Sequence, residues 1–457
     1  MGAYRARVPP DPAMPPTSSG DGALRPAALA PPSTDRLGVT IIGLGGAVGT
    51  TAVAGVELIR QGAVGLDGLP LAALPAALTG ALAPYEGMVF GGWDLYSGDL
   101  AAAARHHGVL GLQQYEAARD ALAQVTPWPA YGDDRFCKGV TGEHTNGCAG
   151  LREAVDRLRA DLREFKEAHG LERAVVINLA STESSPDLSA DVFATPEAFE
   201  AGVDADDERI SPAMLYAYAA ILEGCPYGNF TPSVGADVPA LVALAEREGV
   251  PLAGKDGKTG QTFVKTVVAP GLRDRALTVE GWFSTNILGN RDGEALREAG
   301  SLASKIGTKG SVLDQILGYE IEDHVVKINY YRPRGDAKEA WDNVDLVGFL
   351  GEKMQLKINF LCKDSILAAP LALDIARCLD LAGRRGRGGV AEPMGVFFKG
   401  PMTADPEAVP EHDFARQQAA FLDWLRGLNS EGGASGEGAS GEGATAEPAP
   451  EASRAAA

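Results

Sequence analysis

The amino-acid sequence predicts an α/β fold: a mostly parallel sheet, followed late in the chain by an α+β insertion with a sheet of its own. Strand-like runs such as 38–42 (GVTII) and 174–179 (AVVINL) alternate with helix-like segments in the first half. Residues 151–169 have helical periodicity and are followed by Gly170, a common C-terminal cap. Strands that alternate with helices favour a parallel sheet. After residue 255, runs such as 279–288 lie between short helices and indicate a second sheet.

The position of each element follows from the spacing of its apolar residues, which differs between helices and strands. The last predicted helix is amphipathic and is expected to pack against the first domain. The sequence predicts strands at 38–42, 88–90, 174–179, 279–288, 325–331 and 356–361, and helices at 47–60, 151–169, 212–222, 238–247, 310–317, 370–381 and 413–428.

The first predicted strand runs into a glycine-rich loop, GLGGAVGTT at 43–51, and then into a helix. Glycines there let the backbone approach a pyrophosphate, which a helix N-terminus attracts. The third glycine comes one position later than in G-x-G-x-x-G, so the loop is a variant of the dinucleotide-binding fingerprint. A plain strand–helix turn is the alternative. Asp94, which follows the second predicted strand, is the candidate ribose ligand, with a turn or capping aspartate as the alternative.

Lysine is unevenly distributed along the chain. Of 13 lysines, 11 fall between residues 255 and 399, whereas arginine dominates elsewhere. Lysine suits acid/base work and phosphate binding because its pKa moves readily on burial. Lys305 and Lys309 are four positions apart and would share one helix face, where an anion would relieve their repulsion. With Lys338 and Lys399, they suggest a phosphorylated substrate; chance and ordinary surface placement are the alternative.

Charge and composition exclude several classes of protein. The 457 residues carry 41 Lys and Arg against 61 Asp and Glu, a net charge of −20, which argues against nucleic-acid or anionic-membrane binding. Five cysteines in a chain of this size are no disulfide framework. No run of about 18 apolar residues indicates a membrane helix, and the N-terminus does not read as a secretory signal. We therefore expect a soluble, cytoplasmic protein.

Ten motifs, taken together and in order, resemble those of the inositol-phosphate synthase family, from about residue 38 to 401. Lys363 stands where the family usually has Glu, and Ser181 where it usually has Asn. The motifs are GLGGAVGTT at 43–51, GGWDLYSGDL at 91–100, STE at 181–183, SP at 211–212 with EGCPY at 223–227, KTGQT at 258–262, NRDGEAL at 290–296, the lysine pair at 305 and 309, GDAKEA at 335–340, CKDSILAAPL at 362–371 and KGP at 399–401.

The resemblance implies a Rossmann-like NAD-binding domain with an inserted α+β catalytic and tetramerisation domain, between disordered tails. The tails are Pro/Ala-rich at the N-terminus and Ser/Gly/Glu-rich at the C-terminus, compositions that cannot bury a core. The predicted division is a disordered arm at 1–35, the NAD-binding domain at 36–254 and 360–428, the inserted domain at 255–359, and a disordered tail at 429–457.

The resemblance also implies which residues form the sites. NAD would be held by Gly43, Gly45, Gly46, Ala47, Val48, Gly49, Thr50, Asp94, Ser181, Thr182 and Asp336. The catalytic residues would be Lys305, Lys309, Lys338, Lys399, Asp256 and Asp364. The substrate would contact Thr259, Gln261, Asn286, Asn290, Asp292 and Leu296.

The family reaction explains the need for lysine. It converts D-glucose 6-phosphate to inositol phosphate by oxidation at C5, enolisation, intramolecular aldol closure and reduction, with no net redox change. Each step moves a proton or builds an oxyanion. Lysine can both transfer a proton and stabilise an oxyanion, whereas arginine is permanently protonated and cannot act as a base. Lys305 is the expected main acid/base, while Lys309, Lys338 and Lys399 stabilise phosphate and oxyanion. Lys258 and Lys363 are expected to belong to the site through their motifs, whereas five late lysines are expected at the surface: Lys255, Lys265, Lys327, Lys353 and Lys357.

Other functions stay open at this level. A sugar-phosphate dehydrogenase, a paralogue cyclising another sugar phosphate, and a non-catalytic NAD-binding protein are the alternatives. A zinc site at Cys137, His144 and Cys148 has irregular spacing and no fourth ligand, so no metal ligands are predicted, and His107 is expected on a helix surface. The family uses monovalent or divalent cations, which leaves a cation requirement open. A homotetramer assembled through the inserted sheet is expected.

Overall fold

The first sheet is built from apolar runs that are buried on both faces. All residues of β1 (Leu37–Ile42) and β4 (Ala174–Asn178) are buried. Continuous burial is expected where helices cover both faces of a parallel sheet. The computed structural model describes residues 36–137, 142–289 and 312–430, which lie in one compact unit. The other strands of this sheet are β2 (Met88–Asp94), β3 (Trp128–Pro129), β5 (Tyr227–Asn229), β6 (Pro251–Gly254) and, late in the chain, β11 (Gly389–Val390).

These seven strands pair in parallel in the order β11-β6-β5-β4-β1-β2-β3. The chain moves outward from β1 to β3, then returns to the other side of β1 with β4. This is the topology of a doubly wound dinucleotide-binding sheet, whose ligands bind at the carboxyl ends of the strands where the order reverses. The predicted parallel sheet is therefore confirmed, and its switch point lies between β1 and β4.

Helices cover both faces of this sheet. Alternate residues of β1 and β4 enter two separate apolar clusters: Val39 and Val175 pack with one set of helices, whereas Ile42 and Val176 pack with the other. The helices are α1 (Ala47–Arg60), α2 (Ala76–Thr79), α3 (Leu100–His107), α4 (Leu112–Leu122), α5 (Leu151–His169), α6 (Pro196–Asp204), α7 (Pro212–Leu222), α8 (Pro239–Glu248), α9 (Gln261–Asp274), α10 (Asp364–Arg384) and α11 (Phe414–Ser430).

A second sheet has four strands in the order β10-β9-β7-β8. β7 and β8 are parallel, whereas β9 is antiparallel to both β7 and β10. Trp282 and Val344 on its inner face form a third core with Leu313 and Ala269 of α9; residues 312–317 are helical. The strands are β7 (Thr278–Leu288), β8 (Asp323–Tyr330), β9 (Ala337–Val347) and β10 (Lys353–Lys363).

The chain leaves the second sheet through α10, which begins at the residue after β10 and returns to the first sheet. Ile375 of α10 and Phe421 of α11 belong to the same apolar cluster as Val39 of β1. The prediction that the last helix packs against the first domain is confirmed.

The prediction differs from the structure in several places: it omitted the short strands β3, β5, β6 and β11 and several helices, such as α9. Strand β9 was not predicted, because its charged and amide residues, such as Asp342, obscure the alternation. The helix predicted at 370–381 begins at Asp364 and contains Pro370, since burial of Ala369 and Ala372 outweighs the cost of an interior proline. The predicted tail at 429–457 begins too early, because Asn429 is in α11 and bonds to the backbone of Ala81 and Leu78. Residues 1–35 and 431–457 lie outside the described residues.

Candidate active site

The glycine loop lies between β1 and α1, at the carboxyl edge of the first sheet. Gly43 has φ 81°, a left-handed conformation that favours glycine, and its N–H donates to the Trp93 carbonyl. A Cβ on Gly49 would lie 2.4 Å from the Leu44 carbonyl oxygen. The first turn of α1 can therefore pack this closely against the loop only because residue 49 is glycine. Since Gly46 caps α1 without a side-chain bond, the helix N-terminus can receive a phosphate. The loop fits the pyrophosphate of NAD.

Asp94 ends β2, the strand beside β1, and reaches the same loop. Its Oδ2 accepts the Gly45 N–H at 2.8 Å, and its Oδ1 accepts the Tyr96 N–H at 3.1 Å. The structure therefore brings Asp94 to the glycine loop, as expected of a ribose ligand. His107 of α3 was missed: it was expected on a helix surface, but its Nε2 lies 2.9 Å from the Gly45 carbonyl oxygen.

The loop after β4 connects this cofactor edge to the lysine region. Ser181 and Thr182 are half-buried there, and the next residue, Glu183, lines a cleft together with Lys255 and Asp256. Burial raises the pKa of Glu183 to about 7, although hydrogen bonds from Ser211 and the Ala213 backbone oppose the rise. Because all seven strands are parallel, the segments after β1, β4 and β6 meet at one edge.

Asp256 and Lys399 form an ion pair just after β6. The Lys399 Nζ donates to Asp256 Oδ1 at 2.7 Å, and the two backbones also bond, with the Lys399 N–H 2.6 Å from the Asp256 carbonyl oxygen. Asp256 has φ 59°, which is uncommon for a residue other than glycine. The structure thus fixes both predicted catalytic residues together.

Asp364, at the start of α10, joins the lysine region to the second sheet. It accepts the Thr259 Oγ1–H at 3.0 Å and the Lys338 Nζ at 3.4 Å. Burial would raise the pKa of Asp364, but the charges of Lys338 and Lys399 outweigh it and the pKa is lowered. Burial lowers the pKa of Lys338, yet Asp364 reverses the direction and the net pKa is raised. Lys338 is therefore an ammonium at neutral pH, suited to binding an anion.

Two predicted substrate ligands, Gln261 and Asn286, lie against each other and are buried. The Asn286 Nδ2 donates to Gln261 Oε1 at 2.6 Å. Gln261 begins α9, two residues after Thr259. An added Cβ on the intervening Gly260 would be 3.8 Å from the Lys338 Nζ, which places this amide pair beside the lysine.

Asp336, predicted to bind the cofactor, lies at the N-terminus of α10. It accepts the Ser365 Oγ–H at 2.7 Å and so caps the helix that carries Asp364. Its pKa is raised by burial, which bonds from Ser365 oppose. This contact gives Asp336 a structural task; contact with the cofactor stays a prediction. Nearby, Lys363 donates to the Val109 carbonyl at 3.0 Å.

One expectation about lysine was wrong. Lys265, expected at the surface, is 2% exposed, and its Nζ lies 2.8 Å from His324 Nε2. Burial lowers the pKa of Lys265 to about 8, although Asp342 opposes the change. Lys258 of the KTGQT motif is also buried and donates to Gln417 Oε1 at 2.5 Å, with its pKa lowered to about 7 by burial. The residues around Lys265 provided no signal of this burial, since α9 itself was not predicted.

Five predicted site residues lie outside the described residues: Lys305, Lys309, Asn290, Asp292 and Leu296. Across 36–137, 142–289 and 312–430, no group of three His, Cys, Asp or Glu side chains could hold a metal ion. None of the helices in these ranges is long and apolar enough to cross a membrane.

A doubly wound sheet with a glycine loop, beside a cluster of lysines and carboxylates to which both sheets contribute, defines a dinucleotide-dependent enzyme. The family model described as myo-inositol-1-phosphate synthase, an NAD-binding family, matches residues 77–426. The chain belongs to this family, it is an enzyme, and its cofactor is NAD.

Curated relatives and solved structures agree. The chain is 40% identical to inositol-3-phosphate synthase 1 of Bacteroides thetaiotaomicron over 88% of this chain and 97% of the relative. It is 32% identical to inositol-3-phosphate synthase of Saccharomyces cerevisiae over 86% of this chain and 85% of the relative. The crystal structure of the Caenorhabditis elegans inositol-3-phosphate synthase is similar with a TM-score of 0.80 and 27% identity, covering 87% of this chain and 86% of that chain. The resemblance found in the sequence is confirmed.

Removing the charge of Asp364 should change the titration of Lys338. In Asp364→Asn, burial would still lower the pKa of Lys338 while the opposing carboxylate is gone, so the pKa should fall. The pH dependence of Lys338 acylation, followed by mass spectrometry, measures this. Glu280→Gln is the matched control, because its partner Lys353 is 74% exposed and water screens the pair. An unchanged Lys338 profile would contradict the described electrostatics.

Proposed function

We propose that the chain converts D-glucose 6-phosphate to 1D-myo-inositol 3-phosphate, the first step of inositol and inositol-phospholipid biosynthesis. The observation that carries the proposal is the position of Lys338, Lys399, Asp256 and Asp364 at the same sheet edge as the glycine loop. Redox chemistry at a sugar carbon and proton transfer at its neighbour need these two groups of residues side by side.

The cofactor would lie on the glycine loop from Gly43 to Thr50, with Asp94 at its ribose and Ser181 and Thr182 alongside. Bound NAD supplies a hydride acceptor at C5 of the sugar and returns the hydride after ring closure. The loop supports this role because its glycines allow close backbone approach, and Asp94 already accepts the Gly45 N–H.

The lysines would divide the polar chemistry among them. Lys338, an ammonium beside Asp364, suits the charge of the phosphate or of the enolate oxygen. Lys399, paired with Asp256, would serve the same charges from the other side of the site. The main acid/base is Lys305, with Lys309, four residues further along the chain, as its cationic neighbour. A neighbouring cation lowers the pKa of a lysine and so permits it to take a proton.

Sugar hydroxyls would be held by amide and hydroxyl side chains. Thr259 is fixed by Asp364, and Gln261 and Asn286 are fixed by each other. Asn290, Asp292 and Leu296 would complete the pocket. The proposal includes the division into domains at 36–254, 255–359 and 360–428, and a cytoplasmic location. A monovalent or divalent cation is a further part of the family expectation.

A homotetramer assembled through the second sheet is also proposed. The face of this sheet opposite α9 carries Phe283 and Trp341, whose rings are 6.1 Å apart, and Leu361, which is 60% exposed. Leu361 pairs with Glu339 beside Trp341, so these apolar side chains share one face. An exposed apolar face of this kind is common where subunits meet.

Incubation with glucose 6-phosphate and NAD should yield inositol phosphate without accumulation of NADH. The oxidation and reduction cancel, so NAD is needed only in catalytic amount. Product analysis by NMR, together with absorbance of the reduced nicotinamide, measures this. Stoichiometric NADH would instead indicate a dehydrogenase, and an unmodified sugar would contradict the proposed substrate.

Lys305→Ala should reduce turnover by about 10²-fold or more, the usual contribution of a general acid or base. NAD affinity should stay unchanged, because the glycine loop is intact. Steady-state kinetics and NAD titration measure the two effects. Lys353→Ala, at a lysine that is 74% exposed, is the control. Normal turnover by Lys305→Ala would show that this lysine is not the main acid/base.

Light scattering should give four times the mass of the chain. Leu361→Asp places a charge on the apolar face of the second sheet and should lower the mass. The matched control is Leu112→Asp, since Leu112 is 76% exposed and lies on α4, one of the helices that cover the first sheet. A monomeric native protein, or equal behaviour of the two variants, would contradict assembly through this face.

A further inference from the structure

A buried carboxylate on β9, Asp342, has no place in the reaction described above, yet it organises the amides beside the lysines. It is 1% exposed. Its Oδ1 accepts the Trp282 Nε1–H at 2.8 Å and the Ser284 Oγ–H at 2.6 Å. Gln261 Nε2 lies between the two oxygens, 3.2 Å from Oδ2 and 3.3 Å from Oδ1. A buried carboxylate with this many side-chain donors is held in one orientation.

The direction of each bond follows from Trp282, whose indole nitrogen can only donate. Oδ1 of Asp342 is therefore an acceptor, and in a carboxylate Oδ2 is an acceptor as well. Gln261 must then turn its NH₂ group toward Asp342 and its Oε1 away. That oxygen accepts from the Asn286 Nδ2 at 2.6 Å, so Asn286 must also present its NH₂ group to this bond. Amide orientations are set by such networks.

One acceptor is left over at the end of this chain of bonds. The Oδ1 of Asn286 is buried and has no hydrogen-bond partner among the described residues, and the side chain is 2% exposed. Asn286 pairs with Ala340 across β7 and β9 and so shares a sheet face with Lys338, two residues along β9. An unpaired buried acceptor is costly, which is expected where a ligand donates the missing hydrogen bond.

Lys265 supplies the positive charge that a buried carboxylate requires. Its Nζ lies 5.6 Å from the centre of the Trp282 ring, and the charge of Asp342 raises the pKa of Lys265 against the larger effect of burial. The Asp342 carboxylate is thus stabilised by the charge of Lys265, while its hydrogen bonds set the amide orientation of Gln261 and Asn286.

We propose that Asp342 is a positioning residue that sets the orientation of Gln261 and, through it, of Asn286, so that Asn286 Oδ1 accepts a hydrogen bond from a hydroxyl of the sugar phosphate. The inference rests on the proposed function. It adds the reason why Asn286 presents an acceptor, and not a donor, to the sugar hydroxyl. Neither Asp342 nor Gln261 needs to touch the reacting carbons for this role.

Asp342→Asn tests the polarity directly. The new side chain can keep its Oδ1 toward Trp282 and Ser284, but it places an NH₂ group opposite the Gln261 NH₂ group. Gln261 relieves this by turning over, which in turn reverses Asn286. The KM for glucose 6-phosphate should then rise roughly tenfold or more, because Asn286 no longer offers an acceptor to the hydroxyl that donates to it in the native enzyme. The Kd for NAD should be unchanged.

A compensating substitution separates polarity from general structural damage. In the double variant Asp342→Asn with Gln261→Glu, the asparagine NH₂ group donates to one carboxylate oxygen of the glutamate. The other carboxylate oxygen of the glutamate accepts from Asn286. The orientation of Asn286 and the net charge are both restored. The KM of the double variant should return toward the native value, whereas Gln261→Glu alone, with two facing carboxylates, should be impaired.

Asp345→Asn is the matched control: the same change on the same strand, on the opposite face, where Asp345 accepts from Asn343 and Gln355. It should leave the KM unchanged. A native KM in Asp342→Asn would overturn the inference, as would a folded double variant whose KM is no better than that of the single variant. If Asp342→Asn does not fold, the double variant is compared with Gln261→Glu instead, and a KM no better than that of Gln261→Glu would overturn the inference. A native enzyme that forms no inositol phosphate would instead contradict the proposed function.

Discussion

The carboxylate of Asp364 ties together three parts of the chain that are distant in sequence. It begins α10, accepts from Thr259 in the loop after β6, and accepts from Lys338 on β9 of the second sheet. Because two charges buried together must be paired, this contact fixes the second sheet relative to the first at the point where the site lies. The elevated pKa of Lys338 and the lowered pKa of Asp364 both follow from it. The site therefore has a preorganised positive charge before any substrate binds.

The parallel sheet supplies the other constraint. Strands of one direction bring their carboxyl ends to a single edge, so that residues after β1, β2, β4 and β6 become neighbours whatever their separation along the chain. Gly43, Asp94, Glu183 and Asp256 are placed in this way. The mixed second sheet serves differently, since alternate residues of its antiparallel strands β7 and β9 form one face that carries Asn286, Lys338 and Asp342 together. Cofactor and substrate residues thus come from two kinds of sheet that meet at α9 and α10.

Much of this could be predicted from the sequence. Apolar runs predicted β1, β2 and β4 of the first sheet, and the boundaries of α1, α5 and α7 agree with the prediction. The strands β3, β5, β6 and β11 are only two to four residues long and were not predicted. The glycine loop was identifiable because its chemistry depends on a local spacing. Motifs that resemble a known family predicted most of the candidate site residues, and Lys338 and Lys399 contact the predicted carboxylates Asp364 and Asp256.

The predictions that were wrong or missing concern residues whose contacts are distant in sequence. Lys265 was expected at the surface because a lysine carries no sign of burial in its own neighbourhood; only the fold brings His324 and Trp282 against it. Asp342 belonged to none of the motifs, since its importance lies in bonds to residues about 60 or more positions away along the chain. Pro370 was assigned to a helix start, whereas packing of α10 carries the helix through it.

The sequence by itself determined the fold class, the nucleotide loop and the chemical types in the site, because periodicity and local spacing are properties of neighbouring residues. The tertiary structure alone decided which charges pair and which way each amide faces. Those depend on hydrogen bonds and burial between segments that only the folded chain brings together.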